Sequence, residues 1–164
     1  MRRLIWGLLI LALVSIPGMA QTSDEHKGQG YVFFAPGTTS PGTPTGTVHF
    51  GGGGEALVYK GLGLAGEVGY LVPWRSMGDG MGTFSPDVSY HIRPRSGEQK
   101  LVPFVTGGYT LFFRSGTANG FNFGGGANYW FREHLGLRLE FRDNVWTTYA
   151  TVHWLGFRVG LAFR

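Results

Sequence analysis

The chain has 164 residues, 29 of them glycine, with 15% aromatic residues, only 15% charged ones and no cysteine. So little charge is unusual for a water-soluble surface, the aromatic content argues against disorder, and the absence of cysteine excludes a disulfide framework. The net charge of +4 comes without any Lys/Arg run, so no nucleic-acid partner is implied.

Arg2 and Arg3 form a basic start, Leu4 to Ile16 is an uncharged apolar run, and Pro17 breaks it. Gly18-Met19-Ala20 then supplies small residues before Gln21. Residues 1–20 are therefore expected to be a signal peptide, too short to anchor stably in a bilayer of about 30 Å. No cysteine follows it for lipid attachment. Losing Arg2 and Arg3 takes two of 14 basic residues and leaves 12 against 10 acidic ones, a net +2. Residues 21–28 read as a short polar lead-in and 29–164 as one domain.

Eight strands are expected after that. The first runs about Gln29 to Ala35, followed by a Pro/Gly-rich loop from Pro36 to Gly46. Strand two, about Thr47 to Val58, sets Val48, Phe50, Ala56 and Val58 against His49 and Glu55. After a tight turn at Tyr59-Lys60-Gly61, strand three (Leu62 to Val72) sets Leu62, Leu64, Val68, Tyr70 and Val72 against Gly63, Ala65, Glu67 and Gly69. A loop from Pro73 to Met81 leads to strand four, Gly82 to Ile92, with Phe84, Val88, Tyr90 and Ile92 opposite Ser85, Asp87, Ser89 and His91. Arg93 to Gln99 is a polar turn. Strand five, Lys100 to Phe113, is apolar on both faces, so its facing stays open, as does that of strand one. A short loop from Arg114 to Asn119 precedes strand six, Gly120 to Phe131. Arg132 to His134 turns into strand seven, where Leu135 to Arg142 (LGLRLEFR) alternates strictly with period two. Asp143 to Thr147 reads as a loop, and strand eight ends near Phe163. Long loops and short turns alternate, which brings both termini to the side of the turns.

Alternation alone fits a soluble barrel as well, with its apolar face inward. The polar face decides: it carries Gly, Asn, Ala and isolated charges rather than the Lys, Glu, Thr and Ser of a wetted surface. Eight strands leave an interior just wide enough for side chains. Aromatics also gather at strand ends (Tyr70 and Trp74, Tyr129 to Phe131, Trp146 and Tyr149), as membrane interfaces favour. The expected fold is all-β: an eight-stranded antiparallel up-and-down transmembrane barrel.

The segments GFNFGGGANYWFREHLGLRLEFRD (Gly120 to Asp143) and LGFRVGLAFR (Leu155 to Arg164) resemble the small outer-membrane β-barrel proteins of the OmpA/OmpX/OmpW type. The resemblance implies residence in the outer membrane of a diderm bacterium with periplasmic termini. It implies contact with membrane lipids and lipopolysaccharide, and passage through periplasmic chaperones and the barrel-assembly machinery. Such proteins usually finish on an aromatic residue; here Phe163 is penultimate and Arg164 last, displacing that signal by one.

Glu55, Glu67, Asp87, Arg138, Glu140, Arg142 and Arg158 all fall on non-apolar faces, four acids and three bases. Enclosed charges must pair, because an unpaired buried ion costs several kcal/mol. They are expected to form an interior ion-pair network, with Arg158 in reach of Glu140 and with Glu55 and Glu67 pairing across the lumen. Gly61 to Gly66 matches G-x-G-x-x-G, but no helix follows to receive a pyrophosphate. Gly51 to Gly54 lacks the following GK[ST] of a phosphate loop. Ser89 and His91 share a face, but the lumen face, and His153 has no serine nearby in sequence, so no nucleophile and base come together. The histidines show no metal spacing. The functional expectation is a non-catalytic, monomeric barrel without cofactor or metal, acting structurally or through its loops. A narrow pore for small solutes is second and a lipid A-modifying barrel enzyme third.

Overall fold

Every strand among the described residues finds its neighbour in sequence order, and the last finds the first. The structure, a computed structural model, describes residues 28–92, 100–147 and 151–164. The expected signal peptide, most of the lead-in and the Arg93 turn lie outside the described residues. The strands are β1 (Gly28–Ser40), β2 (Gly46–Tyr59), β3 (Leu62–Pro73), β4 (Met81–His91), β5 (Leu101–Phe113), β6 (Thr117–Trp130), β7 (Leu135–Trp146) and β8 (Val152–Phe163). All pairs are antiparallel, and β1 with β8 closes the barrel. With 11 to 14 residues each, the strands exceed the roughly 9–11 that cross a bilayer when tilted.

Period-two patterning sorts the side chains. In β4, Thr83, Ser85, Asp87, Ser89 and His91 are buried while Phe84, Val88 and Tyr90 are exposed. The outer wall of the other strands carries residues such as Val32, Phe50, Leu64, Val105, Phe123, Phe141 and Phe157, each 46–53% exposed. A soluble protein does not display such a continuous apolar belt. With polar groups inside and apolar ones outside, the layout is that of a transmembrane barrel.

Three expected boundaries are corrected. β1 runs through Pro36 to Ser40, because Pro36 faces outward and Gly37, Thr38 and their neighbours keep pairing with β2 and β8. β6 begins at Thr117, leaving 114–116 as the connection. β7 continues through Asp143, Asn144 and Val145 to Trp146, paired on both sides. β5 places Val102, Phe104, Thr106, Thr110 and Phe112 inside, and β1 places Tyr31, Phe33 and Ala35 inside. Lys60 (φ 37°) and Gly61 (φ 91°) make the β2–β3 turn. Gly61 also sits against the His91 carbonyl, where a Cβ would collide. The G-x-G-x-x-G match is thus a hairpin turn followed by a strand.

Candidate functional site

The seven charged residues come from five strands: Glu55 on β2, Glu67 on β3, Asp87 on β4, Arg138, Glu140 and Arg142 on β7, and Arg158 on β8. All point into the lumen, and none is more than 5% exposed.

Arg142 is the hub of the loop-side half. Its Nη1 donates to Asp87 Oδ2 (2.7 Å), its Nε donates to Glu140 Oε1, and Nη1 stands 3.7 Å from Glu67 Oε2. Arg158 Nη1 donates to Glu67 Oε2 (2.7 Å), with Glu140 Oε1 farther away at 3.9 Å. Register sets Arg158 beside Glu140, yet its short bond goes across the lumen. The barrel is narrow enough that opposite walls are in reach. On the turn side, Arg138 donates to Glu140 Oε2 (3.1 Å) and lies 3.9 Å from Glu55 Oε2. Glu67 thus pairs across the lumen with Arg158, and Glu55 faces Arg138 across it at the longer distance.

The lumen also enlists residues that charge counting overlooks. Glu55 accepts from the Ser89 hydroxyl and from Gln29 (2.5 Å), and its Oε1 lies 2.6 Å from His91 Nε2. Ser89 and His91 are therefore a carboxylate's hydrogen-bonding partners. Asn122 donates to Asp87 Oδ1 (2.8 Å) and Tyr31 to Glu67 Oε2 (3.2 Å). His49 links Arg158 (3.2 Å) to Thr83 (3.0 Å). Arg138 covers the rings of Phe104 (3.9 Å) and Tyr31 (4.5 Å), and Arg158 that of Phe33 (4.1 Å). Inward aromatics on β1 and β5 thus serve as faces for guanidinium groups. The signal available in sequence was parity: His91 lies two and four residues from Ser89 and Asp87.

Inward glycines seat the large side chains. A Cβ on Gly63 would strike the Glu55 carboxylate and the Ser89 hydroxyl, and one on Gly69 would strike His49 and Thr83. Outward Gly54 meets nothing within 4 Å. Gly63→Val is expected to cost about 1–3 kcal/mol through overpacking, whereas Gly54→Ala should be nearly neutral. Denaturant midpoints of the refolded variants check this, and equal losses would reverse the assignment of faces.

No protein-family model matches the chain, and no curated protein sequence matches it. Solved structures do match. The chain is similar to Neisserial surface protein A with a TM-score of 0.69 at 12% identity, over 84% of this chain and 97% of that one. It is similar to Ail, the attachment invasion locus protein of Yersinia pestis, with a TM-score of 0.56 at 8% identity, over 85% and 99%. It is also similar to a de novo designed transmembrane β-barrel, with a TM-score of 0.58 at 18% identity, over 86% and 98%.

Its fold is that of the small outer-membrane β-barrels.

A designed chain reaches the same fold, so in small outer-membrane barrels the fold itself carries no particular activity. At the loop-side rim of this barrel His153 Nδ1 lies 2.6 Å from Asp143 Oδ2, a pair that exists because β7 continues through Asp143. Ser40 stands across from His153 in the β1–β8 register, but makes no side-chain hydrogen bond among the described residues. A nucleophile bonded to its base is thus not assembled there. Among the described residues, no cluster of three or more His, Cys, Asp or Glu side chains is placed to hold a metal ion.

Proposed function

We propose that this chain is a non-catalytic, monomeric barrel of the outer membrane, sealed by its charge network and acting structurally or through its loops. The observation that carries the reading is the filled lumen: seven buried charges from five strands, tied by direct hydrogen bonds across the bore. A conducting pathway needs mobile water and accessible charges, and this interior offers interlocked ones instead. The apolar belt supports contact with outer-membrane lipids and lipopolysaccharide. The alternating Phe157, Val159, Leu161 and Phe163 at the end of β8 support recognition by the assembly machinery after delivery by periplasmic chaperones. Single-channel recording of the refolded barrel tests the seal. The expected result is silence or brief, small openings. A large steady conductance would overturn it in favour of a solute pore.

Gly28, Arg164 and the β2–β3 and β6–β7 turns share one end of the barrel, which we assign to the periplasm. Because the chain has no cysteine, single cysteines can report sidedness. In intact cells, Ser115→Cys is expected to react with an impermeant maleimide and His134→Cys to stay unlabelled; the reverse pattern would invert the orientation.

A further inference from the structure

The lumen does not balance its charge on carboxylates and arginines alone. Among the described residues it encloses four carboxylates (Glu55, Glu67, Asp87 and Glu140) and three guanidinium groups (Arg138, Arg142 and Arg158). Three of the carboxylates accept a guanidinium hydrogen bond: Glu67 from Arg158 (2.7 Å), Asp87 from Arg142 (2.7 Å) and Glu140 from Arg138 (3.1 Å). Glu55 does not. Arg138 stands 3.9 Å from it, and its close partner is the His91 ring, with Nε2 2.6 Å from Oε1.

Two histidines point into the described lumen, His49 and His91, and their bonding separates them. His49 Nδ1 lies 3.2 Å from Arg158 Nη2. A guanidinium only donates, so that nitrogen is bare, the ring is neutral and Nε2 donates to Thr83. No guanidinium donates to His91. Around it stand the Glu55 carboxylate on β2, the Ser89 hydroxyl on β4 and the Phe104 ring on β5, 5.5 Å away and tilted by 30°. Arg138 on β7 covers the same Phe104 ring (3.9 Å). The His91 backbone N–H donates to the Gly61 carbonyl (2.7 Å), in the turn whose Lys60 lies over the Tyr59 ring. The His91 and Glu55 side chains are 3% and 1% exposed, so solvent does not screen them from each other.

We propose that His91 is the fourth cation of the lumen, an imidazolium that neutralises Glu55, closes the turn-side half of the network and makes the seal loosen in alkali. Without that proton, one negative charge is left over in the bore, with no adjoining cation closer than Arg138. The folded barrel then binds one proton more than the unfolded chain over the range in which imidazoles titrate. Its stability is therefore complete in mild acid and falls as pH rises. His49, neutral in the fold, acts with the opposite sign, so the direction of the response tells the two apart. This inference rests on the sealed-lumen reading above.

The test follows the full barrel in lipid vesicles at pH 6 and pH 9, by denaturant unfolding and by single-channel recording. The wild-type unfolding constant is expected to rise about tenfold or more between the two, through linkage of one proton. Brief openings at pH 6 should lengthen at pH 9. His91→Gln keeps a donor for Glu55 but no charge, and should behave at pH 6 as the wild type does at pH 9. His91→Gln combined with Glu55→Gln removes both charges; it should fold and stay closed at both pH values, which keeps the test decisive if the single variant does not fold. No wild-type response, or the same response in the double variant, would overturn the role of His91 and leave the seal standing. A large steady wild-type conductance at pH 6 would overturn the seal itself.

Discussion

Arg142→Ala is expected to cost about 3–5 kcal/mol of unfolding free energy, the largest single effect in the lumen. The side chain is 1% exposed and faces three carboxylates, those of Asp87, Glu140 and Glu67. Removing it strands negative charge in a buried space, and that stranded charge, rather than the lost bonds themselves, sets the cost. The companion experiment follows from the same argument. Arg142→Met combined with Asp87→Asn and Glu140→Gln removes charge from both sides and should recover most of the loss, since neutral groups of similar volume replace buried pairs at small cost. Denaturant unfolding of refolded protein measures both. A loss under about 1 kcal/mol for Arg142→Ala would mean that water already fills the bore.

Leu139→Arg attacks the other face. Leu139 points outward in the middle of β7, between Ala127 on β6 and Val159 on β8, all within the apolar belt. A guanidinium there must enter hydrocarbon, and about 2–4 kcal/mol should be lost near the bilayer midplane. Leu139→Phe keeps the surface apolar and should cost little. Reversible unfolding in lipid vesicles separates the two, and equal losses would move the membrane band elsewhere on the wall.

Much of this fold was legible because a barrel strand obeys one rule, and β7 states it in eight letters. Leu137, Leu139 and Phe141 alternate with Arg138, Glu140 and Arg142, and facing follows directly. The misreadings come from residues whose local preference lost to pairing. Pro36 suggests a break, but on an outward position it costs only one donor. Asp143 and Asn144 favour turns, yet both remain paired in the strand, Asp143 bonded to His153 and Asn144 opposite Trp154. β1 and β5 resisted assignment because aromatics stand on both of their faces; of the inward ones, Tyr31, Phe33 and Phe104 became platforms for arginine and Phe112 stacks on Trp146. Within the lumen, parity named the residues but could not name their partners. Sequence neighbours suggest contacts along a wall, whereas Arg158–Glu67 and Arg142–Asp87 depend on how close the far wall comes.

The seam between β1 and β8 has a consequence for how the barrel is made. Gly30 must find Phe163, so closure waits for nearly the whole chain, and the ladder skips Ala35 and Pro36 between the Phe34–Val159 and Gly37–Gly156 pairs. Seven junctions can zip as hairpins, each strand next to its predecessor, but the eighth joins the two most distant segments of the barrel. Until it forms, β1 and β8 are two unprotected edges, each able to capture a strand from another copy. The step that completes the barrel is therefore also the one that ends its exposure to aggregation.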